Sequence, residues 1–250
     1  MDVAISLVPE TIINIGEFPL TNTFLMTIVV SVLIVTGSLV LSRKKSLIPR
    51  GFQNLIEFVI EELLVLVDGV TGDKEQSKKF FPIVATIFII VILSNWIELL
   101  PGLGTIGINN IHHGESIFVP FVRSPSADLN LTLAIAIFSV IAAQFMGIMA
   151  IGIKKYVGKF LVSPFKKPYF IGTFVGILEI ISEFAKIISF SFRLFGNIFA
   201  GEVLLLVMLA LAPLLVPLPF LFLEIFVGFI QALVFAMLTL VFFKMATEAH

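Results

Sequence analysis

The sequence predicts an all-α integral membrane protein with five transmembrane helices, an amphipathic helix at the membrane interface, and a C-terminal hairpin of two long helices. Hydrophobic residues make up 58% of the 250 residues and charged residues only 13%, whereas soluble domains have roughly 45–50% and 25%. Five apolar runs are long enough to cross a hydrocarbon core, which takes about twenty helical residues. Basic residues are concentrated in alternate connections. A water-soluble protein is therefore excluded.

The chain is expected to form one membrane domain. Residues 1–22 contain acidic but no basic residues, so we expect an outer N-terminal segment and no cleaved secretory signal. The first three spans are predicted at 23–41, 80–100 and 129–153. Prolines are expected at or beside the connections, namely at Pro49, Pro82, Pro101, Pro120, Pro125, Pro164 and Pro168.

Residues 50–68 are predicted to lie along the inner membrane interface. Glu57 and Glu61 are four residues apart, hence on one helical face, while leucine, isoleucine and valine cover the rest. A strongly acidic face and an apolar face are typical of a helix that lies in the interface rather than crossing it.

The fourth segment, 170–212, has 43 residues without a proline, which would give a helix of roughly 64 Å. Because that is about twice the membrane thickness, the segment must either break into two helices or tilt steeply. Pro213, Pro217 and Pro219 separate it from the last span, 220–245. A short connection predicts an antiparallel hairpin.

The distribution of basic residues predicts the orientation. Of the 16 lysines and arginines, thirteen lie in connections on one side, Arg123 alone lies on the other, and Lys186 and Arg193 lie within an apolar run. Since basic residues favour the cytoplasmic side, the N-terminus is expected outside and the C-terminus inside.

A polar stripe is predicted along the fourth segment. At 100° per residue, one sector contains Glu179, Ser182, Glu183, Lys186, Ser189, Arg193 and Asn197. Arg193 is near the middle of the segment and has no acidic residue four positions away, so its compensating charge must come from another helix or another subunit. Lys186 is expected to pair with Glu183, three positions earlier.

The last span is predicted to place a second polar face against this stripe. Glu224 and Gln231 are seven residues apart, with Gly228 between them permitting close approach. An antiparallel hairpin would place Gln231 level with Arg193, and both Glu224 and Glu202 toward the outer end. Glu179 would lie toward the inner end, so the acids suggest two ion pathways from opposite faces, kept apart by Arg193.

Several motifs resemble subunit a of F-type ATP synthases. SFRLFGNIFAGE, at residues 191–202, is similar to the family's signature around its stator arginine. Four further similarities occur in the family's order: NWIELLPG at 95–102, PSADLNLTLA at 125–134, ILE at 177–179 and QALVFAMLT at 231–239.

The resemblance implies a role for each matching residue. Arg193 would face a rotating ring of c subunits, with Gln231 opposite, and the last two helices would tilt steeply against that ring. Asn197, Glu202 and Glu224 would line an outer half-channel, and Glu179 an inner one. Some members have histidine where Glu224 stands, so it stays open which of the two outer acids relays the ion. Asn95, Glu98 and Asp128 are further candidates for the outer half-channel.

The implied function is to pass protons to and from the ring carboxylates, which couples proton flow to ring rotation and ATP synthesis. Implied partners are the c ring, peripheral-stalk b subunits and the remainder of the complex, in a bacterial plasma membrane. The chain would be non-catalytic and without a cofactor, because no motif for ATP chemistry is visible.

The alternatives are a secondary transporter or ion channel that uses the same stripe, and a scaffold that transports nothing. Transporters commonly have two similar halves and interrupted helices, neither of which is visible, and a scaffold leaves Arg193 unexplained. The glycine pattern at Gly102, Gly104 and Gly107 lacks a βαβ context. His112 and His113 lack a nearby third ligand, so no metal site is expected.

Overall fold

The computed structural model describes residues 7–43, 51–100, 106–112, 115–160, 171–212 and 215–248. Some sequence features lie outside the described residues. These are the basic residues Lys44, Lys45, Arg50, Lys166 and Lys167, the prolines Pro49, Pro101, Pro164, Pro168 and Pro213, and Gly102, Gly104 and His113.

Seven α-helices are described. They are α1 (Asn22–Arg43), α2 (Phe52–Thr71), α3 (Lys74–Trp96), α4 (Leu129–Ile151), α5 (Ile153–Phe160), α6 (Ile171–Leu211) and α7 (Pro217–Thr247). Five of them, α1, α3, α4, α6 and α7, are long and apolar enough to cross a membrane. This confirms the predicted fold class.

Two short β-hairpins were not predicted. Strands β1 (Thr11–Ile15) and β2 (Phe18–Thr21) pair antiparallel before α1, and β3 (Gly107–His112) and β4 (Glu115–Pro120) pair between α3 and α4. Gly16 has a φ of 66°, a conformation that suits the tight turn between β1 and β2. Both hairpins fall in segments predicted to lie outside the membrane.

The expectation that Pro82 marks a connection is wrong. Helix α3 begins at Lys74 and continues through Pro82, so its first two turns are a polar extension of the apolar span. Proline leaves the carbonyl four residues earlier without its helical donor, and here that residue, Lys78, is exposed. Water can therefore satisfy the carbonyl. Pro217 and Pro219 likewise lie within the first turn of α7, where a missing N–H costs little.

Helix α6 is unbroken over 41 residues, a length of about 60 Å. The structure thus excludes a break in the fourth segment, and steep tilt stays a prediction. Phe190 stacks on Phe235 with ring centroids 3.6 Å apart, and Gly201 lies against Glu224. Later residues of α6 meet earlier residues of α7, so the two helices are antiparallel. The same spacing places Arg193 level with residue 232, next to Gln231.

The buried core lies between α3, α4, α6 and α7, with Leu63 and Val67 of α2 packed against it. Phe80 and Phe243 meet edge to face at 5.5 Å. Helix α1 is peripheral and leaves most of its apolar side chains exposed. An apolar helix so little covered by protein is suited to contact with lipid.

Candidate functional site

Arg193 lies on the exposed face of α6. Its neighbours Ser191 and Leu194 are buried in the core, whereas Ser189 and Asn197, one turn to either side, are exposed like Arg193 itself. No carboxylate in the described part of the chain pairs with Arg193. Among the described residues, no other helix of this chain supplies the compensating charge, so its supply by another subunit stays a prediction.

Glu202 forms an ion pair with Arg123, a residue the sequence analysis used only for orientation. Arg123 Nε lies 2.9 Å from Glu202 Oε1, and Nη2 donates to Oε2 at 3.2 Å. The two side chains are only 6% and 11% exposed. A signal for this pair was present in the sequence, because Arg123 is the lone basic residue on a predicted outer side that carries several acids.

Glu98 lies close to this pair, in the short 3-10 turn (Ile97–Leu99) that follows α3. Its Oε2 accepts a hydrogen bond from Ser124 N at 2.7 Å, and Ser124 Oγ donates to Ser94 O at 2.9 Å. Two hydrogen bonds thus hold the residue next to Arg123 against the end of α3.

Glu224 is 8% exposed on α7 and leans over Gly201, the residue before Glu202. A Cβ at position 201 would come within 2.5 Å of Glu224 Oε1. Glu224 Oε2 is buried without a hydrogen-bond partner among the described residues. An unpartnered buried carboxylate oxygen is costly to maintain, which is typical of a functional group.

A cavity of about 210 Å³ connects Glu224 to the exposed face of α6. It is lined by Asn197, Ala200, Gly201, Leu204, Phe220, Leu223, Glu224 and Val227. Asn197 lies one helical turn from Arg193, so the cavity extends from Glu224 toward the exposed arginine.

Asn95 and Trp96 fix the end of α3 against α7. Asn95 Nδ2 donates to Gly228 O at 2.9 Å and Trp96 Nε1 donates to Ile225 O at 3.0 Å. Gly228 favours this approach, because a Cβ there would make a tight contact of 3.2 Å with each of the two side chains. Asn95 Oδ1 is buried without a hydrogen-bond partner in the described structure.

Asp128 caps the N-terminus of α4. Its Oδ1 accepts from Asn130 N at 2.8 Å and its Oδ2 accepts from Thr23 Oγ1, also at 2.8 Å. The side chain therefore ties α4 to α1, and both of its oxygens are already occupied.

A second cavity, of about 320 Å³, lies at the other end of α6. Its polar lining consists of Gln144, Tyr156, Glu179, Ser182, Glu183 and Lys186. Lys186 Nζ is 2.6 Å from Glu183 Oε1, which confirms the predicted pair, and it also lies 5.3 Å from the centre of the Phe242 ring.

Tyr156, which the sequence analysis missed, closes one wall of this second cavity. It is 5% exposed, and its hydroxyl donates to Gln144 Oε1 at 2.5 Å. Burial, with added repulsion from Glu183 and Glu179, raises the pKa of Tyr156 to about 12. The phenol thus stays neutral and remains a hydrogen-bond donor at any physiological pH.

Gln231 is half-buried on α7, one residue from the level of Arg193 that the contacts between α6 and α7 indicate. The predicted residues therefore fall into three groups along α6 and α7: Glu98, Glu202 and Glu224 with Asn95 toward one end, Arg193 with Asn197 and Gln231 in the middle, and Glu179 toward the other end. Asp128 is not part of the first group, because its two oxygens accept from Asn130 N and Thr23 Oγ1.

Comparison with known proteins gives one consistent result. The family model described as ATP synthase A chain matches residues 23–244. The chain is 30% identical over 243 residues to ATP synthase subunit a of Moorella thermoacetica, covering 97% of this chain and 98% of that protein. It is 36% identical over 224 residues to ATP synthase subunit a of Campylobacter jejuni, covering 88% and 89%. It is 34% identical over 220 residues to that of Campylobacter fetus, covering 86% and 85%. The chain is therefore a multi-pass membrane protein that belongs to the ATP synthase A chain family.

Proposed function

We propose that this chain is the ion-translocating stator subunit in the membrane sector of an F-type ATP synthase. It passes protons to and from carboxylates on a ring of c subunits through two offset half-channels, which Arg193 separates. The observation that carries the proposal is the exposed Arg193, unpaired within the described chain, with an acid-lined cavity on each side of it along α6.

The outer half-channel consists of the acid cluster and the 210 Å³ cavity. Protons enter near Glu98 and Glu202 and reach Glu224, which faces the cavity. Asn197 lies at the end of the cavity nearest Arg193. Glu202 is nine residues from Arg193, or about 14 Å along a helix, so the cluster stands clear of the fixed cation.

The inner half-channel is the 320 Å³ cavity that contains Glu179. Glu179 is fourteen residues from Arg193, about 21 Å along a helix. The Lys186–Glu183 pair lies between them. Protons leave the ring carboxylate on this side and pass Glu179 to the cytoplasm.

The charge of Arg193 makes rotation obligatory. A nearby cation favours the ionised form of a carboxylate, so a ring carboxylate must lose its proton before it passes Arg193. It then takes up a proton from the other half-channel. Because a proton cannot cross the position of Arg193 directly, flow between the two paths requires the ring to turn.

The partners follow from this function. The c ring would cover the exposed face around Arg193, and peripheral-stalk b subunits would hold the chain against rotation. ATP chemistry would reside in other subunits. The N-terminus would lie outside a bacterial plasma membrane and the C-terminus in the cytoplasm, as the basic residues indicate.

The test is Arg193→Ala in the complete complex, assayed in inverted membrane vesicles. ATP-driven pumping and ATP synthesis should be abolished, while passive proton flux rises because the barrier between the half-channels is gone. Arg193→Lys should also be severely impaired, since lysine lacks the planar fork and is more strongly hydrated. Lys78→Gln removes an exposed cation far from the site and serves as the matched control. Near-normal coupled pumping by Arg193→Ala would refute the proposal.

A further inference from the structure

We infer that Arg123 is a positioning residue that holds Glu202 as a fixed anion, so that Glu224 alone carries protons from the outer cluster to the cavity beside Arg193. This inference rests on the proposed function and decides which outer acid relays the proton.

The first step concerns Glu202. Its two carboxylate oxygens face two nitrogens of Arg123, at 2.9 Å from Nε and 3.2 Å from Nη2. Side-on contacts of this kind are among the strongest ion pairs in proteins. Protonating Glu202 would remove the charge opposite a guanidinium that is only 6% exposed, and a buried cation without its counterion is strongly unfavourable. The ion pair with Arg123 therefore opposes protonation of Glu202.

The second step concerns Arg123, which is itself held in place. Its Nη1 donates to Val8 O at 3.3 Å, which ties it to the segment before β1. The next residue, Ser124, is bound to Glu98 and to Ser94 O. The contact of Arg123 with the N-terminal segment and those of Ser124 with the end of α3 restrict the movement of Arg123.

The third step concerns Glu224, whose bonding differs from that of Glu202. Glu224 Oε2 has no hydrogen-bond partner among the described residues, and the side chain lines the cavity that contains Asn197. Glu224 Oε2 can therefore take a proton from outer-side water, pass it through the cavity to a ring carboxylate, and return to its anionic form without breaking an ion pair.

The decisive experiment compares Glu202→Gln with the pair Arg123→Gln/Glu202→Gln in the complete complex. Glu202→Gln leaves Arg123 without its counterion, so we expect ATP-driven pumping to fall about tenfold or more. The double variant removes both charges together and should restore pumping to within about threefold of the unchanged chain. All rates are compared at equal amounts of chain and c ring in the membrane. If the double variant assembles into the complex but is as inactive as Glu202→Gln alone, Glu202 is itself a proton carrier and the inference is overturned.

The specificity control is Arg123→Gln/Glu224→Gln. Because loss of Arg123 cannot replace a proton carrier, this pair should stay as inactive as Glu224→Gln alone. Recovery equal to that of the first pair would overturn the assignment of Glu224.

A second test does not require the neutral pair to assemble. Arg123→Lys keeps the cation opposite Glu202, so it should pump at least about threefold faster than Arg123→Gln. Equal rates would show that the charge at position 123 does not matter, which also overturns the inference. Arg193→Ala in the same vesicles separates the two levels. If Arg193→Ala abolishes pumping while Arg123→Gln/Glu202→Gln stays inactive, only this inference fails. If Arg193→Ala pumps normally, the proposed function fails.

Discussion

Glu224 of α7 rests directly on Gly201 of α6, with space for a hydrogen atom but not for a methyl group between them. A Cβ at position 201 would fall 2.5 Å from Glu224 Oε1 and 2.9 Å from its Cδ. The obstructed atoms are the far end of a flexible side chain, so a larger residue would move the carboxylate rather than separate the helices.

Gly201→Ala is therefore expected to impair function without unfolding the chain. The displaced Glu224 carboxylate would lose its position beside the cavity, and ATP-driven pumping should fall about tenfold, the scale of a misplaced reacting group. The measurement is pumping per assembled complex. Gly37→Ala is the matched control, because a Cβ there meets nothing within 4 Å. Normal pumping by Gly201→Ala would mean that the position of Glu224 is not critical.

The acids at the two ends of α6 and α7 should have effects on opposite sides of the membrane. In Glu202→Gln/Glu224→Gln, proton entry from outside should be slow, and a higher outer proton concentration should partly offset the defect by mass action. In Glu179→Gln, proton exchange with the inner side should be slow, and a higher proton concentration on that side should partly offset the defect. The measurement is the coupled rate as the pH is varied on each side separately.

The control for the acids is Glu75→Gln, which removes an exposed carboxylate of a surface pair. Normal rates in the outer double variant would make Glu202 and Glu224 structural polar groups and contradict the outer half-channel.

The orientation can be tested by single cysteines, since the chain has none. Lys44→Cys and Lys159→Cys should react with a membrane-impermeant maleimide only from the cytoplasmic side, and Asn110→Cys only from outside, because basic residues favour the inner side. Labelling of intact and inverted vesicles gives the answer. The reverse pattern would exchange the inner and outer half-channels.

Asp128 is expected to stabilise the fold through its cap on α4 and its bond to α1. Asp128→Ala should lower the free energy of unfolding by about 1–2 kcal/mol, the upper range for a helix cap, because Thr23 also loses its acceptor. Asp128→Asn keeps a capping oxygen and should lose less. Thermal inactivation of the purified complex ranks the variants, with Asp128→Ala inactivating at the lowest temperature and Asp128→Asn between it and the unchanged chain.

Asp73→Ala, which removes an exposed cap that accepts from Glu75 N at 2.9 Å, is the comparison for Asp128. An equal or larger effect at Asp73 would contradict the special contribution of Asp128 to the tie between α1 and α4.

The helices and the order of the polar groups along them could be predicted from sequence, because both depend on local properties. Apolar length determines which segments can cross a membrane, and a 100° turn per residue determines that Glu183 and Lys186, three residues apart, meet. The depth match of Arg193 and Gln231 followed from one further assumption, the antiparallel hairpin.

Tertiary structure decided the contacts between distant residues. Arg123 and Glu202 are 79 residues apart in sequence and Thr23 and Asp128 are 105 apart, so no local pattern pairs them. Packing of α3 and α6 against the loop before α4 places Arg123 on Glu202, and packing of α6 against α7 at Gly201 leaves Glu224 with an open oxygen. Composition and spacing thus determined a five-span membrane protein with acids on both sides of a central arginine. Which of the outer acids is tied by an ion pair and which faces the cavity depended on how the helices pack, since the chemistry of a carboxylate is decided by the groups within a few ångströms of it.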